Sequence, residues 1–216
     1  MVTEVIIQKE RKSVTKRYTL EEYFELEDKA ISKNEFVNGR IIKMAGGTIE
    51  HGLISGYIYG LLLMLLFDND DVTVYSNDQK IYIVEHQRIA YTDTCVVVGE
   101  TKRHQGKNQA ITNPTLIFEV ASESTEKFDR TGKFRMYQSL PSFKEYVLVS
   151  QTMPIVEVYY KIEENKWQMT SYVGLDKIVK FDTLDAELKM SDIYKKIEDL
   201  KDPQTYIEFP EEAENL

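Results

Sequence analysis

A single cysteine, Cys95, stands in 216 residues. It excludes an internal disulfide and a zinc site built on several thiolates, so a disulfide-stapled secreted module is ruled out. Histidine is nearly as scarce. His51, His86 and His104 are the only three, and no HxxxH spacing links them. A hydrophobic run of the ~20 residues that a spanning helix needs is also missing. The longest, LISGYIYGLLLMLLF at residues 53–67, is 15 residues and is interrupted by Gly56 and Gly60. It predicts a buried core helix covered on several sides, by a sheet and by a second subunit. P-loop, GxGxxG and GxSxG patterns are absent, which removes support for Walker nucleotide hydrolysis, a Rossmann dehydrogenase and an ordinary α/β-hydrolase.

Positive charge is in deficit, with 27 lysines and arginines against 36 aspartates and glutamates. A chain of net charge −9 does not coat nucleic acid through bulk charge. Any such role rests on local basic patches or on bound metal. The rest of the composition, 42% hydrophobic and 29% charged, is that of an ordinary globular protein of one good-sized domain. Residues 1–17 carry five basic side chains against two acids, and residues 198–216 carry seven acids against Lys201. The organisation predicted is a basic N-terminal arm (1–17), one domain (18–197) and an acidic C-terminal tail (198–216). The opening MVTEVIIQKERKSVTKR turns polar after seven residues, which predicts a cytoplasmic protein without a secretory signal.

Periodicity and punctuation order the elements. Thr19 and Glu22 form a capping-box pattern opening a helix over LEEYFELE. Asn38-Gly39, between NEFV and RIIKM, signals a β-hairpin. The apolar helix follows from about Thr48 to Phe67. Strands are predicted at 72–76, 80–84, 94–98, 115–121, 145–150, 155–161 and 166–173, with 115–121 (TLIFEVA) buried on both faces. Residues 122–140 read as an amphipathic helix stopped by Pro141, and Ser191 as the cap of a last helix. Strands close on either side of the 122–140 helix predict a right-handed crossover there. The fold class is α/β (α+β), a central mixed β-sheet flanked by helices, with an N-terminal helix and hairpin.

The chemistry gathers between residues 93 and 137. Glu119 lies inside an apolar strand, where a carboxylate is costly unless it is paired or binds metal; a solvent-facing edge strand is the plainer account. Asp93 opens another such strand, or serves only as a turn residue. Thr125, Asp129, Lys133 and Tyr137, spaced by four, share a helix face that a short turn lays over the Glu119 strand. An exposed Asp129–Lys133 ion pair is the competing explanation. Two carboxylates with a nearby lysine make a hard-oxygen site suited to Mg2+ or Mn2+.

These residues carry a resemblance. The series TLEEYFELE, EFVNGRIIKMAGG, EHGLISGYIYGLLL, YTDTCVVV, PTLIFEVASESTEKFDRTGKFRMYQ and EYVLVSQTMPIVEVYY resembles the Uma-type family of restriction endonuclease-like proteins, within the PD-(D/E)XK nuclease superfamily. The similarity spans roughly residues 18–197. It implies a restriction endonuclease-like core, and a Mg2+-dependent (or Mn2+-dependent) endodeoxyribonuclease that hydrolyses DNA with a metal-activated water. It implies that Asp93 and Glu119 ligate the metal and that Lys133 replaces the motif lysine. Glu35 joins the catalytic set, with His51, Ser124, Asp129 and Tyr137 as accessory residues. Two departures stand out: Thr92 replaces the proline before the aspartate, and Ala121 occupies the usual lysine position.

For DNA contact, the loop at 101–109 offers Lys102, Arg103 and Lys107, and the helix adds Lys127 and Arg130; a solvated polar surface is the alternative. DNA is the predicted partner, and a homodimer suits cutting two strands. The alternative reading keeps the fold without the reaction: an inactive nuclease-fold module binding nucleic acid or a protein partner. A paired-carboxylate glycosidase would need an aromatic sugar cleft, and the lone Trp167 is remote in sequence from both acids.

Overall fold

The computed structural model describes residues 16–104 and 110–206. Most of the basic arm, the end of the acidic tail, and Lys107 fall outside them.

Helix α1 (Leu20–Glu27) starts on the predicted box: the Thr19 hydroxyl accepts from the Glu22 amide, and the Glu22 carboxylate accepts from the Thr19 amide. Strands β1 (Asn34–Val37) and β2 (Arg40–Lys43) form the hairpin, with Asn38 and Gly39 both at positive φ, 45° and 82°. Helix α2 (Ile49–Leu65) is capped by Thr48, whose hydroxyl accepts from the His51 amide. Then come β3 (Val72–Ser76), β4 (Lys80–Ile83), β5 (Arg88–Tyr91), β6 (Thr94–Val98) and β7 (Leu116–Ala121). A helix over residues 126–137, the site helix, leads to β8 (Glu145–Ser150), β9 (Ile155–Glu163), β10 (Lys166–Val173), β11 (Ile178–Phe181) and β12 (Ala186–Lys189).

Six strands make the central mixed sheet, in the order β10-β9-β8-β7-β6-β3. Only β7 and β8 pair in parallel, and the site helix lies between them in sequence, as a crossover requires. A second, antiparallel sheet runs β2-β1-β5-β4, and β11 and β12 form a separate ribbon.

Alternation along β7 sends side chains to two cores. Leu116, Phe118 and Val120 pack with Ile54, Ile58 and Leu62 of α2 and with Val179 and Phe181 of the ribbon. Ile117 and Ala121 face the other way, toward Tyr137, Phe143, Tyr146, and Ile81 and Ala90 of the small sheet. Glu119 shares the parity of this second face. All six residues of β7 are buried.

Several expectations need correction. The site helix begins at Glu126, because Ser122 and Thr125 spend their hydroxyls on a local turn that competes with helix. Residues Asp129–Lys133 within it are a π-helical turn. The last helix is one turn, Met190–Ile193, whose cap position is Lys189, so Ser191 caps nothing. Among the described residues of one chain, helix α2 is covered on one side, by the sheet and the ribbon. Ile54, Ser55, Ile58 and Leu62 are buried, while Ile49, Met64 and Phe67 stand 78%, 79% and 83% exposed. Among the described residues no helix is long and apolar enough to cross a membrane.

Candidate active site

The β6–β7 ladder ends at the Thr94–Phe118 pair, and the site is built just beyond it. Asp93, next after that pair, turns its Oδ2 to accept from the Val120 amide at 2.7 Å. The same oxygen lies 3.4 Å from His51 Nε2, delivered by the first turn of α2. Hydrogen bonding to Asp93 raises the His51 pKa, against a smaller effect of burial.

Glu119, 3% exposed, has both oxygens engaged. Tyr137 donates to Oε1 at 2.8 Å, and Lys133 Nζ stands 3.0 Å from Oε2. Lys133 Nζ is also 2.9 Å from Asp129 Oδ1. The four-residue spacing on the site helix therefore delivers three groups to one place. Burial pushes Glu119 up to about 8, against the lowering effect of Lys133 and with the help of the nearby Asp93 and Asp129 carboxylates. Burial alone would lower Lys133, but Glu119 and Asp129 outweigh it and hold the ammonium above its ordinary value.

Asp93, Glu119, Asp129 and Lys133 line one cleft of about 420 Å³, together with His51, Ser124 and Glu35. Among the described residues no three His, Cys, Asp or Glu side chains converge as a ready-made cation cage. The donor set is two carboxylates, an arrangement that leaves several positions to solvent and phosphate oxygens, as Mg2+ prefers. Glu35, Asp93, Glu119 and Asp129 stand against Lys43, Arg88 and Lys133, so with every group ionised the cleft has one acid in excess, which a divalent cation would neutralise. On both counts the residues fit such an ion.

With this geometry in place, comparison identifies the lineage. The model of the Uma2 family, described as "Putative restriction endonuclease", matches residues 20–191. The chain belongs to the Uma2 family. Two proteins of Synechocystis sp. (strain ATCC 27184 / PCC 6803 / Kazusa), both described as uncharacterized, are similar to it. One, sll1609, is 32% identical over 169 residues, covering 78% of this chain and 95% of its own. The other, slr1290, is 37% identical over 158 residues, covering 73% and 82%. Among solved structures, a protein from Anabaena variabilis described as "a putative nuclease belonging to DUF820" superposes with a TM-score of 0.62 at 14% identity. That match covers 82% of this chain and 97% of that one, and it shows a shared fold. Membership of the Uma2 family supports a nuclease role in general.

The remaining expected residues of this Uma2 chain are distributed unevenly. Glu35 is buried on β1 and pairs with Arg88 of β5, so it is not a solvated strand residue. Ser124 lies at the cleft and shares a hydrogen bond with Ser122 at 3.0 Å. Lys102 and Arg103 are exposed but do not line the cleft. Lys127 is exposed on the site helix, whereas Arg130 is occupied by Glu126, Glu157 and Tyr159 on the central sheet's side. Trp167 is half-buried, packs edge-on against Phe134 at the margin of the second core, and does not line the cleft.

Sequence reading missed Arg88. Strand β5 is announced by no Gly, Pro or Asn; the turn before it is made by Gln87 at a φ of 43°. It also missed Gly132, whose lack of a side chain lets the Phe128 ring fold back: a methyl there would meet the ring at 2.4 Å. Phe128 in turn covers the Arg88 guanidinium, 5.3 Å from its centroid.

Proposed function

We propose that this protein is a Mg2+- or Mn2+-dependent endonuclease that hydrolyses DNA phosphodiester bonds. The observation carrying the reading is the meeting of Asp93, Glu119 and Lys133 in one cleft, two carboxylates from adjoining strands and an amine from the following helix. Asp93 and Glu119 would hold the ion. When bound, such an ion polarises a phosphoryl oxygen and lowers the pKa of water.

The chain's own residues supply the rest. Lys133 keeps its proton at Nζ and presents positive charge where the phosphate gains negative charge. Tyr137, fully buried, fixes the Glu119 rotamer from Oε1. His51 and the Val120 amide orient Asp93 from two directions. Asp129 holds Lys133 in register with Glu119. We further propose a second copy of the chain against the exposed side of α2 from Gly52 onward, which carries no charged residue, a homodimer that offers one site to each strand.

Cleavage of supercoiled plasmid with Mg2+ or Mn2+, by wild type and by an identically purified Asp93→Ala variant, tests this. Metal-dependent nicking that vanishes in the variant is expected. Equal nicking by both proteins would sink the assignment. The engagement of both Glu119 oxygens favours one alternative, an inactive nuclease-fold module that binds nucleic acid or a protein partner. DNA binding that survives Glu119→Gln in a protein with weak metal affinity and no cleavage would select it.

A further inference from the structure

Arg88 is a buried guanidinium whose hydrogen bonding is incomplete. It stands opposite Val37 across the β1–β5 pair, so Glu35, two residues along β1 on the same face, is its diagonal neighbour. Its Nη2 donates to Glu35 Oε2. Among the described residues its Nη1 reaches only a thioether, Met136 Sδ at 3.6 Å, which is a weak acceptor. Its Nε is buried and has no acceptor among the described residues. The residue is 8% exposed and lines the cleft that holds Asp93 and Glu119.

A guanidinium presents five N–H donors in a rigid fork, and burying donors without acceptors is costly. Here the fork is also braced, by Glu35 on one side and by the Phe128 ring that Gly132 admits. A braced fork with unused donors beside a cleft matches a ligand that offers two acceptor oxygens on one centre, as the non-bridging oxygens of a phosphodiester do. The cleft is polarised accordingly: Asp93, Glu119 and Asp129 bring negative charge, while Arg88, Lys43 and Lys133 bring cationic donors.

We propose that Arg88 is a phosphodiester-binding residue, and that Glu35 is a positioning residue which holds it rather than a ligand of the cation. The choice of DNA as the diester rests on the nuclease reading. The binding itself is separable from cleavage.

The test is fluorescence anisotropy of a fluorescein-labelled mixed-sequence duplex in Ca2+, over a series of salt concentrations. Wild type, Arg88→Lys, Arg88→Met and the double variant Glu35→Gln/Arg88→Met are compared. Loss of one phosphate contact lowers the slope of log affinity against log salt by about 0.9. That loss, with weaker binding, is expected in Arg88→Met, while Arg88→Lys recovers the slope without the full affinity. Arg88→Met strands the Glu35 charge and is open to misfolding; the double variant removes both charges together and must show the same loss with wild-type thermal stability. An unchanged slope and affinity in the folded double variant overturns the proposal, as does a wild type that binds no duplex. Arg88-dependent binding by a protein that cuts nothing sustains this site and sinks the nuclease reading. Cleavage by wild type with binding indifferent to Arg88 does the reverse.

Discussion

Lys133 Nζ stands 3.0 Å from Glu119 Oε2, fourteen residues back along the chain. The strand itself has Ala121 two positions after Glu119 and offers no amine there. The amine arrives instead from the π-helical turn of the following helix, a local geometry frequent at functional sites. Lys133→Met leaves Glu119 and Asp129 buried without their shared cation. Removing one partner of a buried ion pair costs about 3–5 kcal/mol. A urea or thermal midpoint at pH 7 should fall accordingly. A variant melting with wild type would show that the amine does not neutralise these acids.

Gly132→Ala sets two effects against each other. In a helix interior alanine is favoured over glycine by about 1 kcal/mol. Here the added methyl would lie 2.4 Å from the Phe128 ring, a distance that forces the ring or the helix to move. The ring is 44% exposed and can swing aside, but only by giving up its cation–π contact with the poorly solvated Arg88. That contact is worth about 0.5–2 kcal/mol, so the variant should be no more stable than wild type. Stabilisation on replacement, measured by chemical denaturation, would mean that Phe128 has free space elsewhere.

Glu145 on β8 is fully buried, and its two oxygens accept from the Asp182 and Thr183 amides at 3.1 Å each, tying the β11–β12 ribbon to the central sheet. Burial pushes it up to about 7, despite those hydrogen bonds. A carboxylate raised on folding contributes stability that is complete below its unfolded value near 4.5 and is lost as pH rises through 7. The loss amounts to up to ~3 kcal/mol between pH 5 and 8. The melting temperature of wild type relative to Glu145→Gln should therefore drop by several degrees over that interval. A pH-independent difference between the two proteins would refute it.

Much of this was legible in the residues, for reasons that can be named. Asn38-Gly39 demands positive φ twice, and Thr19 and Glu22 satisfy each other's amides, so hairpin and helix are local decisions. Glu119 stood out because a carboxylate inside LIFEV requires partners, and the four-residue spacing of Asp129, Lys133 and Tyr137 named them. What stayed hidden depends on distant chain. Arg88 becomes a site residue only because β5 pairs with β1, 51 residues apart at the Val37–Arg88 rung. Strands β11 and β12 are four residues each and turn on Asp185 at a φ of 47°, with no glycine to announce them. The open side of α2 was unreadable for a different reason: its sequence is apolar all round, so no periodicity tells which stripe the sheet takes.

From Gly52 to Phe67 helix α2 and its end carry no charged residue, in a chain of net charge −9. Two such chains repel one another wherever acids meet, so an uncharged face is where a second copy approaches most cheaply. Gly52, Gly56 and Gly60 lie at four-residue spacing, and among the described residues no other part of the chain comes within 4 Å of where a side chain would sit. Met64 and Phe67 project beyond them. Two copies related by a twofold axis would cross at the glycines and bury those large side chains against each other. Sedimentation at micromolar concentration should give a dimer for wild type and a monomer for Met64→Glu/Phe67→Glu, at equal thermal stability because both side chains are exposed in the single chain. A wild type that remains monomeric at ~100 μM, far above the Kd of a stable interface, would remove α2 as the contact.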